Sequence, residues 1–267
     1  MDLYERNYSE LTPDEEANWS LLQEDSVVKT AKNIMIYKPF FRKLPKAVRH
    51  YQSIFPNNYL DPVDLENVDL LSDQINQFVD VLDSTAASER EILNYIKDKR
   101  TYPIIASILN EYFHFGHHEA YIFPEFQLGN SYQVDYLLVG NASGGWNFVY
   151  VELEAPIGRI TVKSGDFGNV FQKGFRQVRD WDSWLEQNYS SLRETFCKSK
   201  KNDVSLPDEF IRLDKSRISY VVVAGRRNDF SSKTYREQRL LENDSIYMLH
   251  YDNLIDSATN IIGQATY

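Results

Sequence analysis

At 267 residues, with 42% hydrophobic and 25% charged side chains, the chain has the balance of a folded protein of one large or two modest domains, which excludes intrinsic disorder. Its net charge of −10 excludes histone-like and polybasic membrane-surface proteins, so any contact with nucleic acid has to be local. A single cysteine, Cys197, excludes an internal disulfide and a zinc site built from several thiolates.

The acidic start MDLYERNYSE has neither the basic nor the apolar region of a signal peptide, and a cytoplasmic chain with no membrane partner is expected. Pro39, Pro45, Pro56 and Pro62 punctuate the first quarter, where residues 26–60, rich in tyrosine and phenylalanine, read as short strands or turns. Over residues 69–86, Leu70, Leu71, Ile75, Phe78, Val79 and Leu82 recur at helical spacing, with Asp69 or Ser72 as the cap. Ser88 followed by Glu91 forms a capping box ahead of Ile92, Leu93 and Ile96, which predicts a second helix. Pro103 opens a third, carrying Ile104, Ile105, Ile108, Leu109 and Phe113.

The period then changes to two. AYIFPEFQLG, SYQVDYLLVG and GWNFVYVELEAP predict adjacent strands, the last two joined by a hairpin turn at NASGG. Residues 168–189 place Val170, Phe171, Phe175, Val178, Trp181, Trp184 and Leu185 on one face of a long amphipathic helix, and residues 192–216 read as a charged loop. SRISYVVVAG reads as a strand buried on both faces; its apolar run, 218–224, is far shorter than the roughly 20 residues that span a bilayer. SIYMLHYDNLID predicts a short strand entering a final helix. The order from about residue 88 is helices, three strands, helix, strand, helix, strand, helix. It predicts an α/β core, a mixed sheet flanked by helices, over residues 86–267, with residues 1–85 as a separate N-terminal regulatory or sensing part.

Three carboxylates fall on neighbouring strands. Asp135 precedes the apolar run of its strand, and Glu152 and Glu154 flank Leu153, pointing to the face that Val151 and Leu153 do not occupy. Converging carboxylate oxygens suit Mg²⁺ or Mn²⁺, and such a site supports phosphodiester cleavage without a covalent nucleophile. A Glu-x-Glu pair on a solvent face is the plain alternative. Against it stand the otherwise apolar strand and a following helix that carries Gln172, Lys173, Arg176 and Gln177, with Gln177 and Trp181 one turn apart.

An acidic residue in one strand, Glu-x-Glu in the next and Gln-x-x-x-Trp in the following helix resembles the PD-(D/E)xK restriction-endonuclease-like superfamily and, more narrowly, the Shedu antiphage nucleases. The likeness runs through FPEFQLG, QVDYLLV, VYVELEAP, FQKGFRQVRDWDSWLEQN, YVVVAGRR and YDNLID. It implies a restriction-endonuclease-like fold, Mg²⁺- or Mn²⁺-dependent DNA cleavage and a role in defence against phage. It also implies that Asp135 and Glu152 are metal ligands, that Glu154 occupies the lysine position, and that Gln177 belongs to the helix motif. Lysine at that position supplies positive charge to the attacked phosphate, which glutamate cannot do. Either Glu154 is a further ligand and Lys163, Lys173 or Arg176 supplies the cation, or the chain hydrolyses poorly and binds DNA. Glu111, on the helix before the first strand, is a candidate to complete the acidic cluster.

Phosphate contacts without sequence preference are expected from Arg42, Lys43, Lys46 and Arg49, from Lys163, from Lys173, Arg176 and Arg179 on the long helix, and from Arg226 and Arg227. A nuclease of this kind endangers its host, so a homo-oligomer that restricts access is also expected. His114, His117 and His118 lack a fourth ligand and read as a polar turn, and GRITVKSGDFG lacks the Gly-Lys-Ser/Thr ending of a P-loop and reads as a mobile loop near the site. A catalytically weak DNA-binding or self-assembling defence protein, and a non-enzymatic interaction module, stay open as alternatives.

Overall fold

The structure, a computed structural model, describes residues 3, 7–25, 27–29, 35–37, 43–115 and 118–267. The first helix, α1 (Pro13–Asp25), has a capping box of its own: Thr12 Oγ1 accepts from the Glu15 amide at 3.2 Å and Glu15 Oε2 accepts from the Thr12 amide at 2.7 Å. Two short strands, β1 (Val27–Lys29) and β2 (Met35–Tyr37), pair antiparallel, as a β-rich segment predicts. The helix α2 (Pro45–Gln52) departs from that expectation. Pro45 sits in its first turn, where a missing amide is harmless, and Ala47 and Val48 bury against Trp19 of α1.

Helix α3 (Val68–Asp83) is capped by Asn67, whose side chain accepts from the Leu70 amide, rather than by Asp69 or Ser72. Its buried stripe is Leu71, Ile75, Phe78 and Leu82, while Leu70 faces out. The predicted capping box starts α4 (Glu89–Lys99): Ser88 Oγ accepts from the Glu91 amide at 3.3 Å and Glu91 Oε2 accepts from the Ser88 amide at 3.0 Å. Helix α5 (Tyr102–Ile108) runs into a π-helical turn, Leu109–Phe113, that ends at His114 with φ 53°.

The main sheet has the order β3 (Glu119–Leu128), β4 (Tyr132–Ala142), β5 (Gly145–Leu153), β6 (Ile218–Val223) and β7 (Ile246–Leu249). The first three form an antiparallel meander, and β5, β6 and β7 are parallel. Each parallel step crosses over a helix, α6 (Asn169–Asn188) before β6 and α8 (Ser232–Glu242) before β7; α9 (Tyr251–Ile261) ends the fold. Residues 192–216, predicted as loop, contain a further helix, α7 (Leu192–Cys197). Leu192 and Phe196 lie one turn apart in it, and Phe196 packs against Phe55, Phe126 and Phe148. This mixed sheet flanked by helices is the core that the order of elements predicts. No helix among the described residues is long and apolar enough to cross a membrane.

Strand alternation divides the interior into two layers. Val149, Val151 and Leu153 of β5 meet α3, α4, α5 and α9, while Phe148 and Tyr150 meet Val178 and Trp181 of α6. β6 is buried on both sides, as its continuous apolar run predicts. Residues before 85 pack on the same layers: α3 lies beside α4 and α9, Leu60 donates its amide to the Ala120 carbonyl at 2.9 Å, and Asn58 donates to the Ile122 carbonyl at 2.9 Å.

Helix α6 packs tightly against the sheet at Gly174, where an added Cβ would lie 2.6 Å from Val222 Cγ1 and 3.1 Å from Glu154 Cγ. Gly174→Ala is therefore expected to cost about 1–3 kcal/mol in urea unfolding, although alanine favours a helix by about 1 kcal/mol. A variant as stable as the parent would show that α6 is free to shift.

His250 caps α9. Its Nδ1 accepts from the Asn253 amide at 3.2 Å, and its Nε2 faces the Tyr235 hydroxyl at 3.1 Å, so the cap needs the neutral ring. Burial, only partly opposed by Asp252, holds its pKa down to about 4 from an ordinary 6.5. The unfolded chain takes up this proton first, so the stabilisation is complete above about pH 6.5 and is lost as pH falls toward 4. His250→Asn keeps a capping side chain without the titration. The difference in unfolding free energy between parent and variant is expected to move against the parent across that window; a pH-independent difference would contradict the argument.

Candidate active site

Backbone pairing between β4 and β5 runs from Ala142 and Gly145 to Tyr136 and Val151. One residue further on, the Asp135 side chain takes over: its Oδ2 accepts from the Leu153 amide at 2.7 Å. Glu152, by alternation, turns to the α6 side, and only 2% of it is exposed. Glu154 follows on the same side. Its backbone is fixed twice, by its amide to the Val223 carbonyl at 2.8 Å and by its carbonyl, which accepts from the Tyr251 hydroxyl at 2.6 Å.

Lys173 reaches this group from α6. Its ammonium donates to Glu154 Oε2 at 2.8 Å and to Glu89 Oε2 at 2.9 Å. Glu89 is the first residue of α4, so one lysine ties the helices on the two sides of the sheet to the end of β5. Among the described residues, Glu154 Oε1 and Gln177 Oε1 are buried without a partner.

Burial raises the pKa of Asp135; the Leu153 hydrogen bond opposes the rise, and the charges of Glu89 and Glu154 add to it. Glu152 is raised further, by burial first and then by Asp135, Glu154 and Glu89. Burial also raises Glu154, against the hydrogen bond from Lys173. Desolvation works against the Lys173 charge, but its hydrogen bonds to Glu154 and Glu89 outweigh it and raise its pKa. The site thus holds more negative charge than it can keep ionised by itself.

Of the residues predicted for the site, Asp135, Glu152, Glu154 and Lys173 interact with one another, and Gln177 lies one turn beyond Lys173 on α6. Glu111 does not join them; it is exposed on the π-helical turn. The acidic residue that does join is Glu89, the first residue of α4, which nothing in the sequence singled out. Among the described residues, no three His, Cys, Asp or Glu side chains are drawn together into a ready-made metal centre. The donor chemistry nevertheless fits a hard divalent cation: buried carboxylate oxygens, one of them unpartnered, whose raised pKa values a positive ion would relieve.

The cations predicted to hold DNA are placed differently. Arg226 pairs with Asp252 and Asp83, and Arg227 with Asp256. Arg49 pairs with buried Asp61, Lys46 pairs with Glu15, Lys43 is exposed, and Arg42 lies outside the described residues. On α6, Arg176 is exposed and Arg179 lies over the Phe175 ring at 4.9 Å. Lys163 is exposed in the segment after β5. That segment, expected to be mobile, is pinned by a bridge between Thr161 and Phe167, by Thr234 donating to the Gly165 carbonyl at 2.9 Å, and by Lys233 pairing with Asp166. His114 and His118 are exposed, and His117 lies outside the described residues.

No curated protein and no solved structure matches the chain. A family model does: the one described as Shedu protein SduA, C-terminal, matches residues 86–255. The matched span contains Glu89, Asp135, Glu152, Glu154, Lys173 and Gln177. The chain joined by these residues belongs to the Shedu family.

Proposed function

We propose that this protein is a divalent-metal-dependent DNA endonuclease acting in antiphage defence. Membership of the Shedu family implies the defence role. The observation that carries the hydrolytic reading is that Asp135, Glu152, Glu154 and Glu89 lie within electrostatic reach of one another where β4 and β5 part, with Lys173 bonded to Glu154 and Glu89. Carboxylates crowded into a buried place oppose folding, and proteins retain such arrangements chiefly where chemistry needs them.

Asp135, Glu152 and Glu154 would hold Mg²⁺ or Mn²⁺, which when bound polarises a phosphate and lowers the pKa of a water molecule. The remaining steps belong to the chain. The Leu153 amide holds the Asp135 carboxylate in one orientation. The Lys173 ammonium, delivered from α6 instead of from β5, supplies the positive charge that glutamate at position 154 cannot, and offsets negative charge building on the attacked phosphate. Gln177 offers its amide, whose oxygen has no partner, to a water molecule or to the substrate. DNA bound through its phosphates is the partner in this reading, and a homo-oligomer, read by sedimentation, limits access to the site.

Supercoiled plasmid incubated with the protein is expected to be nicked in Mg²⁺ or Mn²⁺ and untouched in EDTA. Asp135→Asn and Glu152→Gln are each expected to lower the rate by about 100-fold or more, and Lys173→Ala by about 100-fold. DNA binding without a metal-dependent product would leave a binding protein in place of an enzyme.

A stability measurement tests the carboxylates without turnover. Because the folded-state pKa of Glu152 is raised, its effect on stability worsens as pH rises above the ordinary carboxylate range. Metal-free Glu152→Gln is expected to melt a few degrees above the parent at neutral pH. Mn²⁺ is expected to raise the parent's melting temperature and to leave the variant's nearly unchanged; equal shifts would remove Glu152 from the metal site.

A further inference from the structure

A cleft of about 460 Å³ opens beside the acidic group, and Glu89 and Asp135 line it. Its wall is α4, from which Arg90, Asn94 and Lys97 also line the cleft. These positions are four and three residues apart, so they form one stripe with successive side chains about 5.4 Å apart along the helix axis. Gln133 of β4 is among the lining residues contributed by the sheet.

The charges on this stripe differ from those that the chain already pairs internally. Arg49, Arg226 and Arg227 are each held by a carboxylate of the chain. Arg90 is exposed and makes no ion pair among the described residues. Lys97 has only a 3.5 Å contact with Glu125, and both side chains are about half exposed. An ion pair in that setting is worth little and is readily exchanged for another anion. Glu89, Glu125 and Asp135 also line the cleft, so its cations lie along the α4 wall, and Arg90, Asn94 and Lys97 there are the donors available to a polyanion whose attacked phosphate reaches the carboxylates.

We propose that this cleft seats one strand of the nucleic-acid substrate, with Arg90 gripping the phosphate next to the one attacked, Lys97 the phosphate beyond it, and Asn94 bonding the backbone between them. The assignment rests on the nuclease reading and extends it to α4, a helix for which the sequence suggested no DNA contact. A volume of about 460 Å³ lies in the range of small-ligand pockets, room for nucleotide-sized groups of one strand.

The test is fluorescence anisotropy with the full chain, a labelled single-stranded DNA oligonucleotide and EDTA, so that nothing is cleaved, at several salt concentrations. Arg90→Ala is expected to weaken binding by about tenfold and to reduce the slope of log affinity against log salt by about 0.7, the loss of one phosphate contact to a single strand. Arg90→Ala with Lys97→Ala is expected to reduce it by about twice that. Arg212→Ala serves as the control: that arginine pairs with Asp208, neither residue lines the cleft, and affinity should not change. The Mn²⁺-induced rise in melting temperature should match the parent's in every variant.

Single-strand affinity and salt slope unchanged by Arg90→Ala would overturn the assignment while leaving the metal site intact. Loss confined to duplex DNA would overturn it too. If the Arg90-dependent binding appears but Mn²⁺ neither stabilises the protein nor supports nicking, the strand-binding cleft stands and the hydrolytic reading falls.

Discussion

Where β4 and β5 stop pairing, the amide of Leu153 loses its cross-strand carbonyl, and an unpaired amide at that depth is costly. The carboxylate of Asp135 fills the gap. That substitution brings an acidic group into the end of the sheet, beside Glu152 and Glu154 on the neighbouring strand. From then on the local problem is electrostatic: several carboxylates share a poorly solvated region, each raising the others' proton affinity.

The fold answers with a single ammonium group. Lys173 can reach both Glu154 and Glu89 because α6 lies close against the sheet, and Gly174, the next residue, is what permits that closeness. The two partners come from different layers, Glu154 from the end of β5 and Glu89 from the start of α4. The ion-pair network therefore also couples the helical layers on the two sides of the sheet. One ammonium does not balance the group, and in the proposed reading a divalent cation would.

The acidic total conceals how the positive charges are divided. Arg49, Arg226, Arg227 and Lys46 are used internally, where they hold α2 to the chain after it, the end of β6 to α9, and α1 to α2. A sequence displays these arginines and lysines as equals. Which of them are spent on the chain's own carboxylates depends on contacts between distant segments, such as the 143 residues that separate Arg226 from Asp83.

The local signals were legible one by one. The Ser88 and Glu91 capping box starts α4, the hairpin joins β4 to β5, and the alternation of Val149, Val151 and Leu153 places Glu152 on the opposite face. Helix α2 and helix α7 were hidden because each is short, and each is stabilised by aromatic side chains from elsewhere in the chain. The Asn67 cap was missed because Asp69 and Ser72 have equally good capping chemistry, and only the observed hydrogen bond selects among them.

By itself, the sequence determined the order of the main-sheet strands and of the helices between them, and the face that the β5 residues present, since periodicity and capping act over a few residues. It also placed Asp135, Glu152, Glu154 and Lys173 among the candidates. Only the tertiary structure decided that Glu89, and not Glu111, stands with them. Glu89 and Lys173 are 84 residues apart, and their 2.9 Å contact follows from how α4 and α6 pack around the end of the sheet, a relation that no local pattern encodes.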